Sequence, residues 1–322
     1  MDPPPITLAD VLEARRRIGS YLRPTPLYSY VGLNELVGTE VWVKHENHQP
    51  VGAFKVRGGV NLVSQLSEEE RARGLIAAST GNHGQSIAFA ARAFGVRALV
   101  CVPEGANPVK VDAMRGLGAE IVARGADYDD AREHCEQLAE EHGYRYVHSG
   151  NEPLLIAGVA TETLEILEEQ PELDAIFVPI GGGSGAAGAC IVAKAIRQEI
   201  EVVGVQSEAA PAAFRSWQAR RLVEDSMSTF AEGLATRTAF ELPQSILREK
   251  LDDFVLVSED EIRRATLLMI EETRNLVEPA GAAALAAALR LRDRYEGKRI
   301  ALVLSGGNIS APQLRELLAQ RN

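Results

Sequence analysis

Residues 174–207 read DAIFVPIGGGSGAAGACIVAKAIRQEIEVVGVQS. The apolar run AIFVPI ends at a turn holding Gly181, Gly182, Gly183 and Gly185. GAAGACIVAKAIRQ then has a helical pattern, and EVVGVQS is a second apolar run. Strand, glycine turn, helix and strand make a parallel βαβ unit with a right-handed crossover. The strands are apolar almost throughout, as expected of strands covered on both faces. The turn also has chemical meaning. Successive glycines let backbone N–H groups converge, and the following helix N-terminus adds partial positive charge, which together make a phosphate cradle. The same turn contains G-x-G-x-x-G at Gly183, Gly185 and Gly188, with Glu208 twenty residues on, where a ribose-binding acid would sit. A dinucleotide therefore competes with a simpler phosphate ligand. No Walker A lysine is present, which argues against an ATPase of that type.

The alternation extends outward. EVWVKHEN (40–47), GLIAAST (74–80), RALVCVPEG (97–105), AEIVARG (119–125) and RIALVLS (299–305) read as strands. VNLVSQLSEEERARG (60–74) reads as one helix ended by glycine. GNHGQSIAFAARAFG, NPVKVDAMRGLG and DYDDAREHCEQLAEEHG read as a loop with helix and two further helices. The predicted class is α/β, with mainly parallel sheets flanked by helices. Pro211 to Leu251 has weaker periodicity, and its elements are not placed.

The 322 residues are enough for two domains. With 46% apolar and 25% charged residues, the composition is that of an ordinary globular protein. A formal net charge of −11 argues against nucleic acid or an anionic membrane as partner. MDPPPITLADVLEARRR has no apolar core, so no signal peptide is expected. AGAAALAAAL (280–289) is about half the length needed to span a bilayer. Cys101, Cys135 and Cys190 are odd in number and scattered, which fits a reducing cytoplasm. His45 and His48 lie three apart on a predicted strand and are expected on opposite faces. The histidines form no ligand-spaced motif, and no metal site is expected.

Two other glycine turns follow strands, STGNHG (79–84) and SGGN (305–308). Ligands of open α/β sheets bind outside the carboxyl ends of strands, so the three turns are expected to share one crevice. Lys55 sits in QPVGAFKVRGGVNLV, between Phe54 and Val56, ahead of a helical pattern. A nicotinamide site has no use for such a lysine. A Schiff-base lysine needs it, because burial lowers its pKa and frees the amine. With the cradle, this points to pyridoxal 5′-phosphate (PLP). Lys55 would hold the aldehyde and GGGSG the phosphate. Ser305 would face the ring nitrogen and Asn82 the ring hydroxyl.

RPTPLYSY, VKHENHQPVGAFKVRGG, STGNHGQ, GAEIV, VHSGNEPLLIAGVAT, VPIGGG, VEPAGAAALAA and LSGGN occur in this order. On these motifs the chain resembles the threonine/serine dehydratase and serine racemase family, PLP enzymes of fold type II with a tryptophan-synthase-β-like architecture. The resemblance implies a large PLP-binding domain from 1–64 and 152–322 and a small inserted domain from 65–151. It implies Lys55 as Schiff-base lysine, and a cofactor site of Phe54, Lys55, Asn82, Gly181, Gly182, Gly183, Ser184, Gly185, Glu278, Ser305 and Gly306. The substrate carboxylate is expected at Ser79, Thr80, Gly81 and Asn82, with Gln85 nearby. The implied reaction is removal of water and then ammonia from a β-hydroxy amino acid such as L-threonine or L-serine. Racemisation is the family alternative. There a second acid–base residue, matching Thr80, would join Lys55 as a catalytic group. An NAD-binding protein using GSGAAG is the alternative outside the family, and a PLP carrier without enzymatic activity is a third reading. A homodimer or homotetramer is implied.

Departures bear on the substrate. Ala53 stands where the family usually has Ser. GVAT (158–161) replaces a usual Gly-Gln-Gly-Thr, and Ser184-Gly185 replaces a fourth glycine and a bulky residue. Positions that carry cation-binding acids in some members fall on Gln206, Ala210 and Ala212, so no Mg²⁺ or Ca²⁺ dependence is expected. No regulatory carboxy-terminal domain, and so no feedback inhibition of the biosynthetic type, is expected.

Overall fold

The computed structural model describes residues 6–320. The first five residues, the start of the stretch scanned for a signal peptide, lie outside it. Among the described residues there are ten strands: β1 (Leu27–Ser29), β2 (Glu40–His45), β3 (Leu75–Ala78), β4 (Ala98–Val102), β5 (Glu120–Ala123), β6 (Arg145–Tyr146), β7 (Ala175–Pro179), β8 (Glu201–Ser207), β9 (Asp253–Val257) and β10 (Arg299–Leu304). They form two sheets, ordered β1-β2-β10-β7-β8-β9 and β5-β4-β3-β6. β1 and β2 pair antiparallel, and every other pairing is parallel.

Why β7 runs down the middle follows from its alternation. Ile176 and Val178 face one core, with Ala186 and Cys190 of the helix Ser184–Ile196. Ala175 and Phe177 face the other, with Ala283 and Ala287 of the helix Pro279–Arg290. Both sides of the sheet are thus dry, which the continuous apolar run requires. The alanine-rich AGAAALAAAL is the buried core of that second helix, and its small side chains let it lie close to the sheet. Among the described residues no helix is long and apolar enough to cross a membrane.

The second sheet is built the same way. Leu75 and Ala77 pack with Ile87 and Ala91 on one face, and Ile76, Ala78, Leu99 and Cys101 pack with Cys135 on the other. β3, β7 and β10 each end in one of the three glycine turns.

Four expectations need correction. The stretch 60–74 is two helices, Lys55–Val63 and Glu68–Arg73. Ser67 caps the second, its hydroxyl accepting from the Glu70 N–H while the Glu70 carboxylate accepts from the Ser67 N–H, and such a capping box starts a new helix. The first helix begins at Lys55 itself rather than beyond it. His45 ends β2, and Glu46–His48 is a 3₁₀ turn. Residues three apart eclipse in that geometry. The two imidazoles therefore stack, with centroids 5.2 Å apart, instead of facing opposite ways. Finally, Pro211 to Leu251 contains the helices Ala212–Ala219 and Glu241–Lys250 and the 3₁₀ turn Glu232–Leu234.

Candidate active site

Lys55 is placed by the end of β10. Ala53 makes an antiparallel bridge to Gly306, and the Phe54 N–H donates to the Ser305 carbonyl at 3.0 Å. Gly52, with φ of +67°, turns the chain into this contact. The helix therefore starts at the rim of the crevice. Close packing follows within the helix. A Cβ on Gly58 would stand 2.8 Å from the Leu155 carbonyl oxygen, and one on Gly59 2.8 Å from the Ser86 carbonyl oxygen. Glycine is what brings the helices Asn82–Phe94 and Pro153–Val159 against the lysine-bearing one.

The Lys55 amine points at the glycine turn after β7. It donates to the Ser184 hydroxyl at 2.8 Å and to the Ser149 carbonyl at 3.1 Å. Burial pulls its pKa down to about 8, against the opposing pull of Glu162. The turn has the form of a cradle. Gly183 has φ of +88° and precedes the helix Ser184–Ile196. A Cβ on Gly182 would lie 2.7 Å from Cδ2 of Phe240, and one on Gly185 3.1 Å from the Phe54 ring. Glycine lets these rings pack against the turn, whose backbone N–H groups lie at a helix N-terminus, the geometry that suits an anion.

The other two turns close the crevice. Ser79 is buried, and its hydroxyl accepts from Gly81 N–H at 3.1 Å and Gly84 N–H at 2.9 Å, which folds STGNHG tightly. Thr80 and Gly81 are half-buried, and Gln85 is buried with its N–H on the Gly81 carbonyl at 3.2 Å. Asn82 donates to Glu278 Oε1 at 2.7 Å and accepts from Asn308 Nδ2 at 2.8 Å. Burial pushes the Glu278 carboxyl up, with Lys110 and Asn82 pulling the other way. Ser305 is buried at the end of β10. His83 is buried and gives its Nε2–H to the Val147 carbonyl at 3.1 Å. Burial, and then the Lys55 charge, hold its pKa at about 3, so it is neutral. The structure thus brings Phe54, Lys55, Asn82, the 181–185 turn, Glu278, Ser305 and Gly306 to one crevice with Ser79 to Gln85. An amine of lowered pKa, a glycine turn at a helix N-terminus, a buried serine and an asparagine fit PLP as a set.

Behind the lysine lies a charge cluster that the sequence reading missed. Arg57 bonds Glu46 at 2.7 and 2.8 Å and Glu165 at 2.6 and 2.7 Å, and Lys44 bonds Glu165 at 2.6 Å. Two cations and two carboxylates balance. Glu162 is the odd one, fully buried with no hydrogen-bond partner for either oxygen. Desolvation and the neighbouring Glu46 hold its carboxyl well above the usual range. The available signal was a charge set inside apolar runs, as in VWVKHEN and FKVRGGV. Asn308, inside the quoted SGGN, was also left without a role.

Residues 18–306 match a family model described as pyridoxal-phosphate dependent enzyme. The chain is 38% identical to L-threonine ammonia-lyase of Thermotoga maritima, over 97% of this chain and 78% of that protein. It is 37% identical to L-threo-3-hydroxyaspartate ammonia-lyase of Saccharomyces cerevisiae, over 97% and 96%. Among solved structures, serine racemase from Dictyostelium discoideum superposes with a TM-score of 0.89 at 36% identity, covering 95% of this chain and 99% of that one. The dinucleotide alternative loses its ground. Gly188 serves helix packing, since a Cβ there would lie 2.9 Å from Ala160, and Glu208 is exposed.

Proposed function

Since the chain belongs to the pyridoxal-phosphate dependent enzymes of fold type II and takes PLP as its cofactor, we propose that its substrate is a small β-hydroxy amino acid, L-threonine or L-serine, and that Lys55 is its base. The reaction class is β-elimination, in which water and then ammonia leave and a 2-oxo acid remains. The observation that carries the reading is the Lys55 amine, pKa about 8, aimed at the glycine cradle.

PLP, when bound, supplies the electron sink for the bond broken at the α-carbon. The 181–185 turn would hold its phosphate by backbone N–H groups. Ser305, being neutral, would face the ring nitrogen without adding a charge there. Asn82, fixed by Glu278 and Asn308, flanks the ring. The Ser79–Asn82 turn orients the α-carboxylate. Lys55, freed by the incoming amino group, removes the α-proton and carries it on Nζ. The division into 1–64 with 152–322 and 65–151 is proposed as the domain plan, with the crevice between the two parts. A homodimer or homotetramer and a cytoplasmic setting belong to the same proposal. The latter is supported by three free cysteines, all buried.

The test is ammonia release from PLP-loaded protein given L-threonine, L-serine and L-threo-3-hydroxyaspartate. Release from threonine or serine is expected, and release from the dicarboxylate alone would overturn the choice of substrate. No release from any of them would defeat the reading.

A further inference from the structure

We propose that Lys110 is the counter-charge for the substrate's α-carboxylate, and that in the free protein Glu232 holds this lysine by an ion pair across the crevice. The inference rests on the amino-acid-binding reading above and adds a residue to it.

A carboxylate that leaves water for a buried crevice is held more firmly by a charge beside the N–H groups that bind it. The STGNHG turn has none of its own, and the Lys55 amine is committed to the cofactor and the α-proton. Lys110 lies on the helix Pro108–Gly116, which follows β4. Its Cδ and Nζ both stand 3.8 Å from the point where a Cβ on Gly81 would be. The ammonium therefore rests against the turn expected to take the carboxylate. It pairs with Glu232, at the start of the 3₁₀ turn Glu232–Leu234 on the side of the larger sheet. Glu278 is the other carboxyl that feels Lys110, and it is engaged by Asn82.

The pair is asymmetric. The Lys110 side chain is 7% exposed and the Glu232 side chain 39%. Glu232 has a second partner, Gln313 Nε2 at 2.9 Å, and water on one side. It can give up the lysine at small cost. Lys110, enclosed, must exchange one anion for another. The ligand that fits is a carboxylate presented at Gly81, which an amino acid has and its amide lacks.

The test titrates PLP-loaded protein with L-alanine, which has no β-hydroxyl to lose, and with L-alaninamide, following the visible absorbance. Lys110→Met should weaken L-alanine binding at least tenfold and leave L-alaninamide unchanged, and Lys110→Arg should restore part of the loss. Glu232→Gln should tighten L-alanine several-fold, an effect that disappears when Lys110→Met is added. Equal weakening of acid and amide in Lys110→Met, or no tightening in Glu232→Gln, overturns the proposal. Glu232 is half-exposed, so its variant keeps the test alive if the Lys110 variants fail to fold. A wild-type protein that binds L-alanine yet releases no ammonia from L-serine or L-threonine would defeat the elimination reading and leave this one standing.

Discussion

Thr80 bears on the choice between elimination and inversion. Inversion needs a group that takes the proton on one face of the α-carbon and one that gives it on the other, and Lys55 is proposed for one of them. Thr80 sits half-buried in the turn between β3 and the helix Asn82–Phe94 and has a hydroxyl. Its β-branch restricts χ1, a bias of about 1 kcal/mol against reaching the other face. Given L-serine, the enzyme should form pyruvate several-fold faster than D-serine. Thr80→Ser should raise the D-serine share and Thr80→Ala abolish it, with elimination kept in both. Chiral chromatography beside a pyruvate assay reads both products, and D-serine appearing as fast as pyruvate would contradict the assignment. At this scale the sequence was informative for Lys55, because a lone lysine among Phe54, Val56 and glycines has few structural uses. It was silent on Lys110 and Glu232, whose meaning comes only from a contact 122 residues apart.

Among the elements, the helix Thr161–Glu169 brings Glu162 into the dry space behind Lys55. Its raised pKa makes stability depend on pH. Well below pH 4.5, the ordinary carboxylate value, folded and unfolded chains both hold the proton. Above that the unfolded chain releases it and the folded chain does not, so stability falls as pH rises, by up to about 1.4 kcal/mol per pH unit until the folded group also ionises. Glu162→Gln removes this loss. Its melting temperature should gain on the wild type's as pH rises above 4.5. A margin that stays constant with pH would show that Glu162 ionises normally in the fold. Element types were legible where apolar runs were long and ended in glycine, as at β7 and β10. They were not legible where tertiary contact decides: β1 has three residues and β6 two, too few for a period. In the stretch 60–74 the helical pattern hid the break that Ser67 and Glu70 make.

For the whole molecule, two sheets end their strands at one crevice, and the chemistry depends on groups contributed from both. Cation binding is not part of this account. Among the described residues no group of three or more His, Cys, Asp or Glu could hold a metal ion, and Gln206 spends its carbonyl on the Phe214 N–H at 3.0 Å. Chelation should leave the melting temperature and ammonia release unchanged; a loss that Mg²⁺ restores would contradict this. The α/β class and the crevice of three turns were legible because glycine after a buried strand has a narrow physical meaning. The buried charge cluster was not, since pairing partners such as Arg57 and Glu165 lie 108 residues apart. The central claim is that Lys55 carries the cofactor. Borohydride reduction of PLP-loaded protein, followed by peptide mass spectrometry, measures it directly. The account predicts one pyridoxyl group, on the peptide containing Lys55, and none in a folded Lys55→Ala variant, which should also lose the visible band and ammonia release. A pyridoxyl group on another lysine, or a Lys55→Ala variant that turns over near the wild-type rate, would contradict it.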